Sequence, residues 1–364
     1  MPVSGVKYNS ATICYWSGTG NSYRVATWMG EIAEENGLET KILSLEKART
    51  TKALFAEKNN FVSLVFPTHG FTAPWHVMKF VWNLPRGNST NVYCAATRAG
   101  LKFGPLFIPG ISGSATFVIA LILLLKGYQV HGAMSVDMPS NWYSLHPIQS
   151  RKSHEAIIDR GERTVAEFMR KTLSQSKVWF TGNNLYEIIL GILLSPVSAG
   201  YVLFGKFFLA KLFFANSRCD GCGLCEKHCT VKAITMRGMD NRRPYWKYNC
   251  ESCMKCAALC PHNAIEAGHS WGVILYCITA IPVSTYLFSL LGADLGNSEM
   301  LKTLWLGDVL NLLYFYPAIF VSYYVFSLLI RIPLLNDLFT HTTMTHFPFW
   351  GRYREPKTKL KDIF

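Results

Sequence analysis

Short apolar runs alternate with amphipathic stretches through the first half of the chain. Residues 11–16, 40–45, 61–66, 91–96 and 130–136 read as strands, because each is a short apolar run bounded by turn-forming or polar positions. Between them, residues 23–36, 75–83 and 115–126 read as helices, and 153–173 closes the region as a long charged helix. In the first of these, Val25, Trp28, Met29 and Ile32 share one side at helical spacing. Strands alternating with helices predict a doubly wound parallel sheet covered on both faces, with ligands at the carboxyl ends of its strands.

Four apolar blocks complicate that pattern. Residues 104–125 are uncharged between Lys102 and Lys126, a length that could span a bilayer. Pro105 and Pro109, with Gly104, Gly110 and Gly113, interrupt the first half, and the alternation requires a loop and helix there. The block therefore reads as the fourth helix after an enlarged apolar loop that dips into lipid or meets a partner. Residues 271–291 and 310–330 are each twenty-one residues without charge, about 31 Å of helix. Tyrosines and tryptophans crowd their ends, and each carries a central proline (Pro282, Pro317), so the pair reads as a transmembrane hairpin. The fourth block, 188–205, is broken by Ser195-Pro196 and Gly200 and followed by Lys206 and Lys211. It reads as an interfacial or re-entrant pair of short helices.

Composition supports a membrane setting. Only 16% of residues are charged and 50% are apolar, with a mean hydropathy of +0.16, which excludes a wholly soluble or a disordered protein. The net charge of +13 is not gathered into Lys/Arg runs, so nucleic acid is not an expected partner and a bilayer surface is. The start of the chain has no basic segment followed by an apolar core, so no secretory signal is expected. Asp294, Glu299 and Asp308 against Lys302 make the connecting loop 292–308 acidic, whereas the tail 331–364 has six basic and three acidic residues. The tail is then expected to face the cytoplasm, in the cell (inner) membrane, with the region that precedes the hairpin on the same side.

The chemistry sits at two places. At the end of the first strand Ser17, Gly18, Thr19, Gly20, Asn21 and Ser22 lead straight into a helix, where hydroxyls and N–H groups suit a phosphate dianion. No lysine follows the glycines, as a nucleoside-triphosphate loop requires, and Tyr23 stands where a dinucleotide fingerprint needs its third glycine. The second place is a duplicated run. Cys219, Cys222, Cys225 and Cys229 recur thirty-one residues on as Cys250, Cys253, Cys256 and Cys260, followed by Pro261. Such regular runs exceed what tetrahedral zinc needs and fit two [4Fe–4S] clusters. Gly221 and Gly223 suit the tight loop, and Thr230 stands where proline usually follows the fourth cysteine. Cys14, Cys94 and Cys277 read as ordinary buried thiols.

Residues 17–22 resemble the phosphate loop of flavodoxins, a likeness that extends over about 175 residues. It implies an FMN site whose ring lies between two later loops, here Thr68, His69, Gly70 and Phe71, and Thr97, Arg98, Ala99 and Gly100. The cysteine region, about 216–270, resembles a bacterial-type ferredoxin. That likeness implies crossed ligand sets, Cys219, Cys222, Cys225 and Cys260 for one cluster and Cys250, Cys253, Cys256 and Cys229 for the other. Together the two regions resemble the flavodoxin–ferredoxin fusion family, with membrane helices added. The expected layout is a flavodoxin-like domain at 1–178, a membrane segment at 179–215 and a small α+β 2[4Fe–4S] ferredoxin domain at 216–270. Two spans at 271–331 and a basic tail at 332–364 complete it. The expected function is membrane-anchored electron transfer between FMN and the clusters, on to or from a redox partner protein or membrane complex. The competing expectation is a self-contained oxidoreductase acting on quinone or another lipid-soluble substrate.

Overall fold

The computed structural model describes residues 5–48, 59–87, 90–174, 177–239, 241–280 and 306–359. β1 (Ser10–Tyr15) lies inside a parallel sheet, with a strand paired on each side. It feeds α1 (Asn21–Glu35), and β2 (Glu39–Ser44) then returns beside it, followed by one helical turn, α2 (Leu45–Ala48). β3 (Asn60–Pro67) pairs on the other side of β1 and leads into α3 (Trp75–Trp82). β4 (Asn91–Phe103) pairs with β3, folds back antiparallel as β5 (Leu106–Ile108), and is followed by α4 (Ala115–Leu125). β6 (Gln129–Pro139) pairs with β4, and α5 (Arg151–Leu173) closes the domain. The five parallel strands run in the order β2-β1-β3-β4-β6, the doubly wound flavodoxin-like order whose switch point falls between β1 and β3.

Alternation along β1 divides the two cores. Ala11, Ile13 and Tyr15 join one cluster with Val25, Met29 and Phe168 of α1 and α5. Cys14 and Trp16 join the other with Val77, Phe80, Ile119 and Leu123 of α3 and α4. The expected helices and strands are all present. The enlarged apolar loop is an antiparallel ribbon, with Leu101, Lys102 and Phe103 opposite Ile108, Phe107 and Leu106.

After this domain, α6 (Gly182–Leu193) and α7 (Ser195–Gly200) meet at Leu194. A π-helical turn (Tyr201–Gly205) and α8 (Lys206–Ala210) continue the second arm, and the two arms are bent by 66°. The sequence break at Ser195-Pro196 is the physical cause, since proline opens the second arm where its missing N–H does no harm. The cysteine-bearing domain follows. β7 (Phe213–Ala215) pairs antiparallel with β10 (Ile265–Ala267), β8 (Ile234–Arg237) with β9 (Arg243–Trp246), and α9 (Leu224–Lys227) and α10 (Lys255–Leu259) lie between.

α11 (His269–Ala280) begins the first expected span, but residues 281–305, with Pro282 and most of the acidic loop, lie outside the described residues. α12 (Leu306–Leu329) contains the one unbroken helix among the described residues long and apolar enough to cross a membrane, Asn311–Leu329. Only 22% of that stretch is buried inside the protein, unlike a soluble core helix. Its aromatic side packs on α11 and on the cysteine domain: Phe326 stacks on Trp271 of α11 with centroids 4.1 Å apart, and Tyr323 Oη donates to the Phe213 carbonyl of β7 at 2.9 Å. α13 (Pro333–His341) follows, and residues 342–359 are folded onto both domains. Thr345 Oγ1 and Arg352 Nη2 donate to Glu266, and the Glu355 N–H donates to the Thr19 carbonyl at 2.9 Å.

Candidate functional site at the junction of the two domains

The β1–α1 turn builds an anion cradle. Gly20 adopts φ 107°, a conformation an L side chain resists, and so turns the chain into the first N–H groups of α1. Ser17, Gly18, Thr19, Asn21 and Ser22 line a cavity at the carboxyl edge of the sheet; Gly20 does not. Gly20 N–H donates to Ser17 Oγ at 3.1 Å, Asn141 Nδ2 donates to Thr19 Oγ1, and Ser22 Oγ pairs with Thr97 Oγ1 at 3.1 Å. The Asn21 side chain is otherwise engaged. Its Nδ2 donates to the Pro139 carbonyl at 2.8 Å and its Oδ1 accepts from Tyr353 Oη at 2.9 Å, so Asn21 contributes its position at the helix start.

Thr68 and His69 line the same cavity, whereas Gly70 and Phe71 turn away. Gly70 packs against Tyr201, and the Phe71 carbonyl accepts from Ser114 N–H at 2.9 Å. Thr97, Arg98 and Ala99 also line the cavity, but they are not in a loop. β4 continues through them, pairing Thr97, Arg98, Ala99 and Gly100 with Val136, Asp137, Met138 and Pro139. Gly100, which the sequence suggests as a turn, is a strand residue where the Asp137 side chain comes too close for a Cβ. Arg98 is clamped: Nε donates to Asp137 Oδ1 at 2.9 Å, Nη2 to Oδ2 at 3.2 Å, and Nη1 to Glu187. That pairing holds its charge inside the domain rather than free for a ligand.

The aromatic missing from the second predicted loop comes from the turn after β6. Ser140, Asn141, Trp142 and His146 line the cavity, and the Trp142 ring stacks on His69 at 6.0 Å and 19°. Hydrophobicity alone does not single out Trp142; the strand order does, because β6 ends beside β4 at the same edge. Burial pushes the His69 imidazole down to about 4, with a backbone hydrogen bond to Glu251 opposing, so the ring is neutral near pH 7. Its Nδ1, like Thr68 Oγ1, is buried with no hydrogen-bond partner. Two orphaned polar atoms beside a helix-start anion cradle fit a ligand with a phosphate and a hydrogen-bonding ring, which FMN is.

The eight clustered cysteines line one cavity and none is in a disulfide. Burial first, then neighbouring thiols, push Cys225 up to about 12, and burial pushes Cys253 up to about 11. Eight thiols gathered in one cavity with no disulfide among them suit metal ions that bind thiolate. The two runs interleave: Cys225 is influenced by Cys219, Cys222 and Cys260, Cys250 and Cys253 by Cys229, and Cys256 by Cys250, Cys253 and Cys225. Among the described residues no three His, Cys, Asp or Glu converge on a single-ion site. Zinc would draw its ligands together, and a larger cluster holds them at separate corners.

The two sites share a wall. Ser252 and Cys253 line the β1–α1 cavity together with Gly18. A Cβ on Gly18 would lie 2.0 Å from the Cys253 carbonyl oxygen, and Trp142 Nε1 donates to the Ser252 carbonyl at 3.2 Å. Beneath the neighbouring Cys250 lies Lys211, 1% exposed, its ammonium 4.4 Å from the Tyr323 ring centroid and donating to the Trp246 carbonyl. Desolvation pulls it down to about 8, with Cys250 opposing.

Residues 218–264 match the family of 4Fe–4S dicluster domains. No curated protein matches the chain. Among solved structures, a flavodoxin from the domain Archaea is similar at 17% identity, over 44% of this chain and 99% of that one, with a TM-score of 0.26. The flavodoxin of Megasphaera elsdenii, in its two-electron reduced form, is similar at 15% identity over 43% and 98%, TM-score 0.26. A mutant flavodoxin from Pseudomonas aeruginosa gives 16% identity over 44% and 96%, TM-score 0.28. Those scores add no weight of their own. The strand order and the dicluster match together establish an architecture of a flavodoxin-like domain joined to a ferredoxin-type 4Fe–4S domain.

Proposed function

We propose that this chain is a membrane-associated electron-transfer protein. It carries electrons between FMN in the β1–α1 cavity and two [4Fe–4S] clusters on the eight cysteines, and exchanges them with a membrane or soluble redox partner. The carrying observation is the shared wall, in which the cluster-ligand segment Ser252–Cys253 closes the cavity at Gly18. When bound, flavin supplies two-electron exchange on one side and single-electron exchange with iron–sulfur groups on the other. The protein's part is to bind, align and seal. The N–H groups of Gly18, Thr19, Asn21 and Ser22 would hold the phosphate, neutral His69 and Thr68 offer ring-side hydrogen-bonding groups, and Trp142 packs between His69 and the Ser252 backbone. Buried Tyr353 and Glu355 keep water from the back of the cradle. The exposed flank of Asn311–Leu329 and the bent pair Gly182–Leu193 and Ser195–Ala210 support membrane association.

Anaerobic purification followed by metal and flavin analysis tests this reading. About eight iron atoms are expected per chain, with one FMN. Photoreduction of the flavin should bleach the clusters within the same molecule. Cys253→Ser should keep FMN and lose or convert one cluster, breaking the transfer. Zinc without iron, or FAD as the sole flavin, would refute the assignment.

A further inference from the structure

Three arginines converge where α12 ends against the ferredoxin-type domain. Arg237 at the end of β8, Arg243 at the start of β9 and Arg331 just beyond α12 line one groove, and Tyr245, Tyr323 and Phe326 form its aromatic walls. The Arg237 guanidinium lies 3.5 Å from the Tyr245 ring centroid, which fixes its plane. Arg243 Nη1 donates to the Asn216 and Cys219 carbonyls at 2.8 and 3.0 Å, which anchors it to the wall. Arg331 Nε is shielded from solvent with no hydrogen-bond partner. Neighbouring arginines are paired, Arg218 and Arg352 with Glu266 and Arg242 with Glu226. Among the described residues these three have no carboxylate within ion-pair distance. Three guanidinium groups around one half-buried groove repel one another, and a shielded N–H without an acceptor is costly.

We propose that this groove binds the phosphate of an anionic phospholipid headgroup. Guanidinium forks match phosphate oxygens in charge and geometry. The groove lies at the end of the apolar stretch Asn311–Leu329, on the side of the basic tail, at the level where a headgroup layer meets a spanning helix. Aromatic walls beside the arginines suit the start of an acyl chain better than a free ion. A neutral quinone head would leave three positive charges unanswered. The inference rests on the membrane association proposed above and adds which lipid is read and by which residues.

The test uses the full chain in mild detergent, offered phosphatidylglycerol, phosphatidylcholine or inorganic phosphate, with retained ligand counted by native mass spectrometry. One phosphatidylglycerol per chain is expected, held about tenfold or more tighter than phosphatidylcholine. Arg237→Gln combined with Arg331→Gln should abolish that preference while iron, flavin and far-ultraviolet dichroism stay at wild-type values. Each single variant should weaken it partially, so a folding failure in the pair does not remove the readout. Equal retention of both lipids, inorganic phosphate held as tightly as the lipid, or a neutral quinone retained instead would overturn the proposal. Vesicle flotation separates the two levels. A wild-type chain that floats with no vesicle composition refutes membrane association itself. Wild type and double variant floating equally with charged and neutral vesicles refutes only the arginine site.

Discussion

His69 is packed between Trp16 and Trp142 at the cavity where the two domains meet, and its buried ring is held neutral at about 4 against 6.5 for a free imidazole. An unfolded chain therefore binds one more proton than the folded one between those two values. Stability attributable to His69 is complete above about pH 6.5 and is lost as the pH falls towards 4, by roughly 3 kcal/mol in all. The melting temperature of flavin-free protein should fall from pH 7 to pH 5, and fall less in His69→Gln; equal falls would show that other groups set the acid limit. Gly18 makes a second prediction at this scale. The atom its missing Cβ would strike is a backbone carbonyl, at 2.0 Å, which cannot swing aside like a side-chain tip. Gly18→Ala should lower stability by about 1–3 kcal/mol and slow flavin-to-cluster transfer, read by melting and by photoreduction. The sequence makes the cradle residues legible because their chemistry is local. It does not reveal what engages the Asn21 amide, because Pro139 and Tyr353 are 118 and 332 positions away.

The elements best read from sequence are those whose burial follows a local period. The five parallel strands and four helices stand where apolar spacing puts them, with β6 longer than expected and β4 the most misjudged in length. Its extension through Thr97–Gly100 depends on pairing with β6, a partner that no local pattern reveals. The bent element α6–α8 is legible as a break, while its anchor is not. Glu187 is fully buried at the start of α4, accepting from Ser112 N–H at 2.9 Å and Gly113 N–H at 2.6 Å and pairing with Arg98. An acidic residue beside an apolar block reads as a solvent-facing boundary; here it fastens that block to the flavodoxin-like domain. Glu187→Gln keeps an acceptor for the N–H groups and removes the charge opposite Arg98. Because Asp137 still faces Arg98, a loss near the low end of the range for broken buried pairs is expected, about 3 kcal/mol. In an Arg98→Met background the same change should cost less, since there it removes one of the two buried carboxylates that the loss of Arg98 strands. Purely additive melting shifts would mean that the contact does not hold the element.

At the scale of the whole molecule, the contacts between segments far apart in sequence decide which side of a membrane each can occupy. Gly18 abuts Cys253, so the flavodoxin-like and ferredoxin-type domains touch, and the proposed membrane association must keep both on one side. Residues beyond α13 reach both: Thr343 Oγ1 donates to the Ala267 carbonyl at 2.9 Å, and Glu355 N–H meets Thr19. A single crossing by 182–210 would separate domains that are in contact, and a 66° bend lets both arms stay on the same side. Composition and hydropathy leave the number of crossings open, because they register apolar length and not what the two ends touch. The expected topology therefore has the N-terminus, both redox domains and the tail in the cytoplasm, with residues 292–308 outside. Cysteine labelling in intact cells tests it, after replacement of reactive native thiols outside the clusters, exposed Cys277 among them. Lys357 is the suitable tail position because it is exposed, whereas Thr358 is 4% exposed and packed near Gly20. A cysteine at Ser298 should react with an impermeant reagent, and cysteines at Ser4 and Lys357 should react only after lysis. Labelling of Ser4 from outside would place the flavodoxin-like domain across the membrane from the tail, and the shared wall at Gly18 could not carry electrons between them.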